Sequence, residues 1–179
     1  MIKYPEDREL LTRYFHECIE IAKRGEKEKG PLGRLFPPYA GCVILDQQGN
    51  KISEGWRSFV SGSNLIMHAE RHAIHRASGS LKGATLITTL EPCSRHKNAE
   101  GKNIKKTMQH CNTYIVQEGI KQVFFGCRDP IGSSRSYFEQ HSVSLVHFSE
   151  LAELINYELF VKPIKEKNER KQSKLEELG

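Results

Sequence analysis

His68 and Glu70 stand two residues apart at the head of a helical stretch. Cys93 follows Pro92 at the end of a strand-like run, and a further thiol, Cys111, stands at or near the start of the next helical stretch. One imidazole and two thiolates make a three-ligand zinc set and leave the fourth tetrahedral position to water. Zinc lowers the pKa of such a water towards neutrality and so supplies hydroxide. Glu70 falls in the first helical turn after His68, where it can face that water without binding the metal. A carboxylate so placed can carry protons. The chemistry is hydrolysis.

The identity of the third ligand stays open on spacing alone. Seventeen residues separate Cys93 from Cys111, against two in the usual Pro-Cys-x-x-Cys arrangement. Cys127 ends another strand-like run, and His96 stands three residues after Cys93, where the usual second cysteine would fall. Both compete with Cys111. His-x-Glu with a later Pro-Cys and a second cysteine is the pattern of zinc-dependent base deaminases. Each half alone is weak, since core histidines and buried thiols are common. The two together, each at a helix start that follows sheet, are specific.

The elements that must position these groups can be read from periodicity. Residues 6–24 place Leu10, Leu11, Tyr14, Phe15, Cys18, Ile19 and Ala22 on one helical face. A Gly/Pro-rich loop covers 30–38, a buried strand 40–46, and a turn at 46–50 leads to a second strand at 51–57. After a polar loop, a helix is expected over 66–78, then a strand over 84–89. A long polar loop, a helix over 107–118 and a strand over 123–127 come next. A short helix over 133–140, a strand over 143–148 and a helix over 149–160 complete the pattern. Helix, hairpin, then alternating strands and helices predict a three-layer α/β/α sandwich around a five-stranded mixed sheet. The domain is expected over 1–161, with 162–179 a charged tail that is either a solvated helix or frayed.

A chain of 179 residues with 37% hydrophobic and 27% charged side chains suits one globular domain. Its longest apolar runs, such as Gly41–Leu45, are too short to span a bilayer. The N-terminus lacks the apolar stretch of a signal peptide, so a cytoplasmic protein is expected. Five cysteines, an odd number, fit a reducing compartment, where thiols bind metal, react or fill the core. Net charge is +5, with the excess at 97–106 and 162–174, which suits an anionic small substrate or nucleic acid.

Gly83-Ala84-Thr85-Leu86-Ile87-Thr88-Thr89-Leu90-Glu91-Pro92-Cys93-Ser94 resembles the strand and metal turn of the riboflavin-pathway pyrimidine deaminases. Cys111 to Gly126, with Glu118-Gly119-Ile120-Lys121, is similar in spacing to the segment after that family's second cysteine, and Asp129-Pro130 stands where the family has Asp-Pro. The resemblance covers roughly residues 10–148. It implies a cytidine-deaminase-like fold, one zinc held by His68, Cys93 and Cys111, and an insertion at 95–109. It also implies pairing into a homodimer or larger oligomer. The sequence departs from the family in three places. Pro37 stands where an asparagine helps hold the substrate, Ile131-Gly132 follows Asp-Pro, and Arg57 replaces a histidine after Glu-Gly-Trp. The family often carries a fused reductase domain, which this sequence does not show.

Trp56, Arg57, Arg95 and His96 are the candidate substrate contacts, and Lys102 joins Arg57 and Arg95 as a candidate for a phosphate, since guanidinium groups suit phosphate geometry. Each has a plainer reading as a half-buried strand residue or solvated charge. His72 and His75 follow His68 at i+4 and i+7, one expected near the metal shell and one at the surface. Cys18 and Cys42 read as core thiols. The expected function is zinc-dependent hydrolytic deamination of a phosphorylated aminopyrimidine or related heterocycle. Two rivals stand beside it. One is a nucleic-acid base deaminase, disfavoured because 95–109 holds no aromatic on which a base could stack. The other is a zinc-stabilised binding module, which would have no need of Glu70.

Overall fold

The computed structural model describes residues 2–63, 65–94, 109–130 and 132–176. In chain order the elements are α1 (Arg8–Ala22), β1 (Lys29–Gly30), β2 (Gly33–Arg34), β3 (Gly41–Leu45), β4 (Lys51–Trp56), β5 (Ser58–Phe59), β6 (Ile66–Met67), α2 (Ala69–Arg76), β7 (Thr85–Leu90), α3 (Cys111–Gln117), β8 (Gln122–Cys127), α4 (Arg135–Gln140), β9 (Ser144–His147), α5 (Ala152–Asn156) and α6 (Lys162–Glu176). One π-helical turn, Tyr157–Val161, joins α5 to α6.

Five strands form the central sheet in the order β4-β3-β7-β8-β9. β3 runs antiparallel to both β4 and β7, whereas β7, β8 and β9 are parallel. The sheet is therefore mixed, as expected. Residues Thr85–Thr89 and Gln122–Gly126 are buried throughout, as central strands covered on both faces must be. Strand alternation divides the core in two. Val43, Leu45, Ile87 and Phe124 meet α1 and the α5 region. Cys42, Ile44, Leu86 and Val123 meet α2, α3 and α4 on the opposite face. The result is a three-layer α/β/α sandwich.

α1 owes its place to Leu11, Tyr14, Phe15, Cys18, Ile19 and Ala22, all buried at helical spacing. Phe15 stacks on Phe148 with centroids 4.9 Å apart. Both rings are fully buried, and each burial contributes roughly 1.5–3 kcal/mol. Two glycines let helices lie directly on strands. A Cβ on Gly41 would meet the Cys18 carbonyl at 2.0 Å, and one on Gly55 would meet the Ala73 nitrogen at 2.2 Å.

Several boundaries differ from expectation. The expected helix over 66–78 begins only at Ala69, because Ile66–Met67 pairs as a short strand with Ser58–Phe59. The Gly/Pro-rich loop holds a second small pairing, β1 with β2. The charged segment after Phe160 is helical to Glu176, the first of the two expected forms. Pro163 has no N–H for the carbonyl of Leu159, four residues before it. That carbonyl instead accepts the N–H of Tyr39 at 3.1 Å, while Lys167 lies 3.7 Å above the Phe36 ring. The C-terminal helix is thus tied to the loop that enters β3. Among the described residues no helix is long and apolar enough to cross a membrane.

Candidate functional site

Strand direction determines where the chemistry gathers. β7 ends at Leu90 and runs straight into Glu91-Pro92-Cys93. β3 is antiparallel to it, so its first residue, Gly41, lies at the same end, and the last residue of β4, Trp56, pairs with Gly41. Gly41 donates its N–H to the Thr89 hydroxyl at 3.1 Å, fixing that end of the sheet.

His68 is the residue just before α2, with extended backbone, and Glu70 lies in the helix's first turn. Cys111 is the first residue of α3. The ligand atoms of His68, Cys93 and Cys111 all lie within 4.8 Å of one another. Cys111 Sγ sits 3.4 Å from His68 Nδ1 and 3.5 Å from Glu70 Oε2. Cys93 and Cys111 are buried, as is Glu70. Burial pushes the Glu70 carboxyl above its ordinary range, against the pull of the nearby His68. A hydrogen bond from the Cys111 thiol, aided by His68, holds Cys93 well below the usual thiol range, and the same pairing, with burial, holds Cys111 above it.

This donor set fits zinc. Tetrahedral ligands at 2.0–2.3 Å from a metal stand about 3.3–3.8 Å apart, and the 3.4 Å between Cys111 Sγ and His68 Nδ1 matches. Two buried thiols this close to each other and to an imidazole are an arrangement that a divalent cation stabilises, because it favours both thiolates.

The rivals for the third position fare differently. The Cys127 thiol points to the Ala152 carbonyl at 3.3 Å, stays outside the cluster, and is pushed up to about 11 by burial. His96, like Arg95 and Lys102, lies outside the described residues.

Trp56 and Arg57 lie at the metal end of the sheet, but their polar atoms are engaged. The Trp56 indole N–H donates to Glu28 at 2.8 Å, and its ring packs edge-on against His72 with centroids 4.4 Å apart. The Arg57 guanidinium donates to the carbonyls of Phe36 and Pro38. His72 Nδ1 lies 2.9 Å from the Trp56 carbonyl, so it carries a proton and donates it. His75 packs near Tyr114, 5.5 Å between centroids. Cys18 and Cys42 are fully buried, and burial raises both thiols. A cleft of about 690 Å³ opens between the 34–39 loop and α6, lined by Arg34, Phe36, Tyr39 and Lys167 and apart from the metal cluster.

Sequence reasoning assigned no role to Glu91, Ser133 and Ser134. The Glu91 carboxylate accepts the Ser133 hydroxyl at 2.7 Å and the Ser134 N–H at 3.0 Å, and the Ser134 hydroxyl donates to the Pro92 carbonyl at 2.6 Å. The loop after β8 is thereby clipped to the metal turn. The one signal for it in the sequence is a carboxylate placed directly before Pro92-Cys93. Arg71 is a second such residue, donating to the Gln109 carbonyl at 3.0 Å, two residues before Cys111.

A three-layer fold with a buried His/Cys/Cys cluster at two helix starts, and a carboxylate beside it, is the architecture of a metal-dependent deaminase domain. Residues 8–127 match the model of the cytidine and deoxycytidylate deaminase zinc-binding region, and the chain belongs to that family. Among curated relatives, riboflavin biosynthesis protein RibD of Actinobacillus pleuropneumoniae is 35% identical over 118 residues, 65% of this chain and 26% of that protein. RibD of Bacillus amyloliquefaciens is 36% identical over 121 residues. The chain thus spans about a quarter of the length of these relatives. Among solved structures, a diaminohydroxyphosphoribosylaminopyrimidine deaminase/5-amino-6-(5-phosphoribosylamino)uracil reductase from Thermotoga maritima is 30% identical. It superposes with a TM-score of 0.66 over 89% of this chain and 42% of that one. The dCMP deaminase of cyanophage S-TIM5, solved with dCMP and dUMP, shares the fold at 19% identity, with a TM-score of 0.58 over 82% of this chain and 100% of that one.

Proposed function

We propose that the chain is a zinc-dependent hydrolytic deaminase of a small aminopyrimidine or related heterocycle. The observation that carries this reading is the buried Glu70 carboxylate 3.5 Å from Cys111 Sγ, beside the triad but not part of it. His68, Cys93 and Cys111 are the residues that would hold the ion. Bound there, zinc supplies a water acidified to near-neutral pKa. Glu70 takes up a proton on its carboxylate, delivers it to the ring nitrogen beside the amine-bearing carbon, and carries the next to the departing ammonia. Burial of Glu70 supports this cycle, because desolvation raises its carboxyl above the ordinary range and so favours uptake of a proton.

The RibD relatives support a phosphorylated ribosylamino-pyrimidine as first choice of substrate. Pro37, which offers no amide hydrogen, argues for a pocket altered at that edge. Trp56 and Arg57 serve that edge, Arg57 by holding the 36–38 backbone. Arg95 and His96 are proposed to approach the substrate from the inserted segment. A phosphate-sized anionic substrate also suits the net charge of +5.

Ammonia release from free pyrimidine and purine nucleotides, measured beside single-stranded DNA and RNA across a salt series, tests the reading. Turnover of a free nucleotide with a shallow salt dependence is expected. Turnover confined to polymers, with steep loss of affinity in salt, would replace it with the nucleic-acid rival.

A further inference from the structure

Seventeen residues separate Cys93 from Cys111, against two in the usual arrangement. A gap of two lets the connection itself set the spacing of the thiols. A gap of seventeen does not, since the ends of a longer loop meet at a greater entropic cost. Contacts outside the connection must therefore hold Cys111 against Cys93 and His68.

On one side the metal turn does this. The Cys93 sulfur and carbonyl accept the N–H groups of Cys111 and Asn112. On the other side stands α2, and Arg71 reaches across from it. One Nη of Arg71 donates to the Gln109 carbonyl at 3.0 Å, and the guanidinium carbon lies 5.3 Å from the centroid of the Tyr114 ring. These contacts bracket Cys111, one two residues before it and one three residues after. The Tyr114 N–H donates to the His110 carbonyl at 3.1 Å, so a hold on Gln109 and Tyr114 is a hold on the turn that contains Cys111. Gln109 is fixed a second time, its side-chain amide donating to Gln117 at 2.8 Å.

The place of Arg71 in α2 suits this task. Successive helical residues point about 100° apart. Glu70 can thus face the thiols while Arg71, the next residue, reaches α3. Both lie in the turn that follows His68, so ligand, carboxylate and arginine move as one body. Burial, His68 and Cys93 act most on the Glu70 carboxyl, which leaves Arg71 a role through position and not through charge. The Arg71 Nε is buried and has no hydrogen-bond partner among the described residues. An N–H so placed costs stability that water would have spared an exposed arginine. The side chain is committed to α3 in spite of that cost.

We propose that Arg71 is a positioning residue of the metal site, tying the start of α3 to α2 and so setting the Cys111 sulfur against His68 and Glu70. The inference rests on zinc occupying the His68, Cys93 and Cys111 cluster.

The experiment measures zinc affinity of the full chain by competition with a colorimetric chelator, and the thiolate-to-cobalt absorption of the cobalt(II)-substituted protein. Groups that orient metal ligands are worth roughly 10–100-fold in affinity. Arg71→Met keeps the apolar stem and loses donor and charge. It should bind zinc roughly tenfold more weakly, with a diminished thiolate-to-cobalt band. Arg71→Lys keeps a cationic donor and should recover most of the loss. Ser53→Ala is the comparison for a merely loosened helix, because the Ser53 hydroxyl donates to the Ala73 carbonyl at 2.6 Å, in the second half of α2. It should lower the melting temperature and leave zinc affinity and the cobalt spectrum unchanged. Should Arg71→Met fail to fold, Tyr114→Leu, which removes the ring beneath the guanidinium, should show a smaller loss of the same kind.

Wild-type zinc affinity and cobalt spectrum in Arg71→Met, or in Tyr114→Leu where that stands in for it, overturn the proposal and leave the zinc reading intact. So does an Arg71→Lys no better than Arg71→Met, or a Ser53→Ala that loses as much zinc affinity. A wild-type chain that binds no zinc overturns the metal reading and the proposal with it.

Discussion

The backbone N–H of Cys111 lies 3.3 Å from the sulfur of Cys93 and donates to it. The next amide, that of Asn112, donates to the Cys93 carbonyl at 3.2 Å. Two residues far apart in sequence are thus joined through the first turn of α3, and the Cys111 contacts hold the Cys93 thiol below its usual range. The two sulfurs meet in the cluster although seventeen residues separate them in sequence.

The first prediction concerns that pair. Cys111→Ser should lose stoichiometric zinc, because serine keeps the amide contact but offers a far weaker ligand. Cys127→Ser should retain it, since that sulfur faces the Ala152 carbonyl. Metal analysis of the two purified variants checks this. Zinc lost from Cys127→Ser and kept in Cys111→Ser would transfer the third ligand to Cys127.

Glu70→Gln keeps the shape of the site and removes the proton carrier. Turnover should fall by roughly 10²–10⁴, the usual worth of general acid–base catalysis. Zinc content and melting temperature should stay close to wild type. Ammonia release per bound zinc is the measurement, and near-normal release would leave Glu70 without the role assigned to it.

Glu91 is a positioning residue. Its buried carboxylate holds Ser133 and Ser134. Glu91→Ala leaves the Ser134 N–H buried without its acceptor and should cost about 1–3 kcal/mol. In a chain of this size that corresponds to a drop of very roughly 2–12 °C in melting temperature. Glu91→Gln preserves one carbonyl acceptor and should recover much of the loss. A KM against kcat comparison separates a merely weakened fold from a displaced metal turn, which should lower kcat in the folded Glu91→Ala protein.

The parts of this architecture that were legible in the sequence share one property: their pattern is local. β3 is an apolar run, β7 and β8 are short runs rich in β-branched or aromatic residues, and α1 repeats its apolar face over four turns. His68 and Glu70 lie in one helix start. What was not legible depends on contacts across the chain. Ser58–Phe59 and Ile66–Met67 are two residues each, too short for any period, and so a helix start was drawn through Ile66. Arg57 looks like a free phosphate donor until the Phe36 and Pro38 carbonyls are folded against it. Glu91 meets Ser133 and Ser134 more than forty residues away.

The last prediction concerns pH. His72 is half-buried, and desolvation holds its pKa below the ordinary 6.5, against the favourable Trp56 carbonyl. In the unfolded chain it takes up a proton near 6.5. Above that pH both states are neutral and His72 adds no pH dependence. Below it the unfolded state binds the proton first, so stability falls as pH drops from about 6.5 to the lower folded value and then levels. Replacing His72 with glutamine removes this slope, so the stability gap between wild type and His72→Gln should narrow as pH falls from 7.5 to 5. Trp56, the one tryptophan, gives an independent readout, since its ring lies 4.4 Å from the His72 ring and a protonated imidazole quenches indole emission. Wild-type emission should drop with a midpoint below 6.5, and His72→Gln emission should stay flat. A midpoint above 6.5, or the same drop in the variant, would show that burial does not govern this histidine.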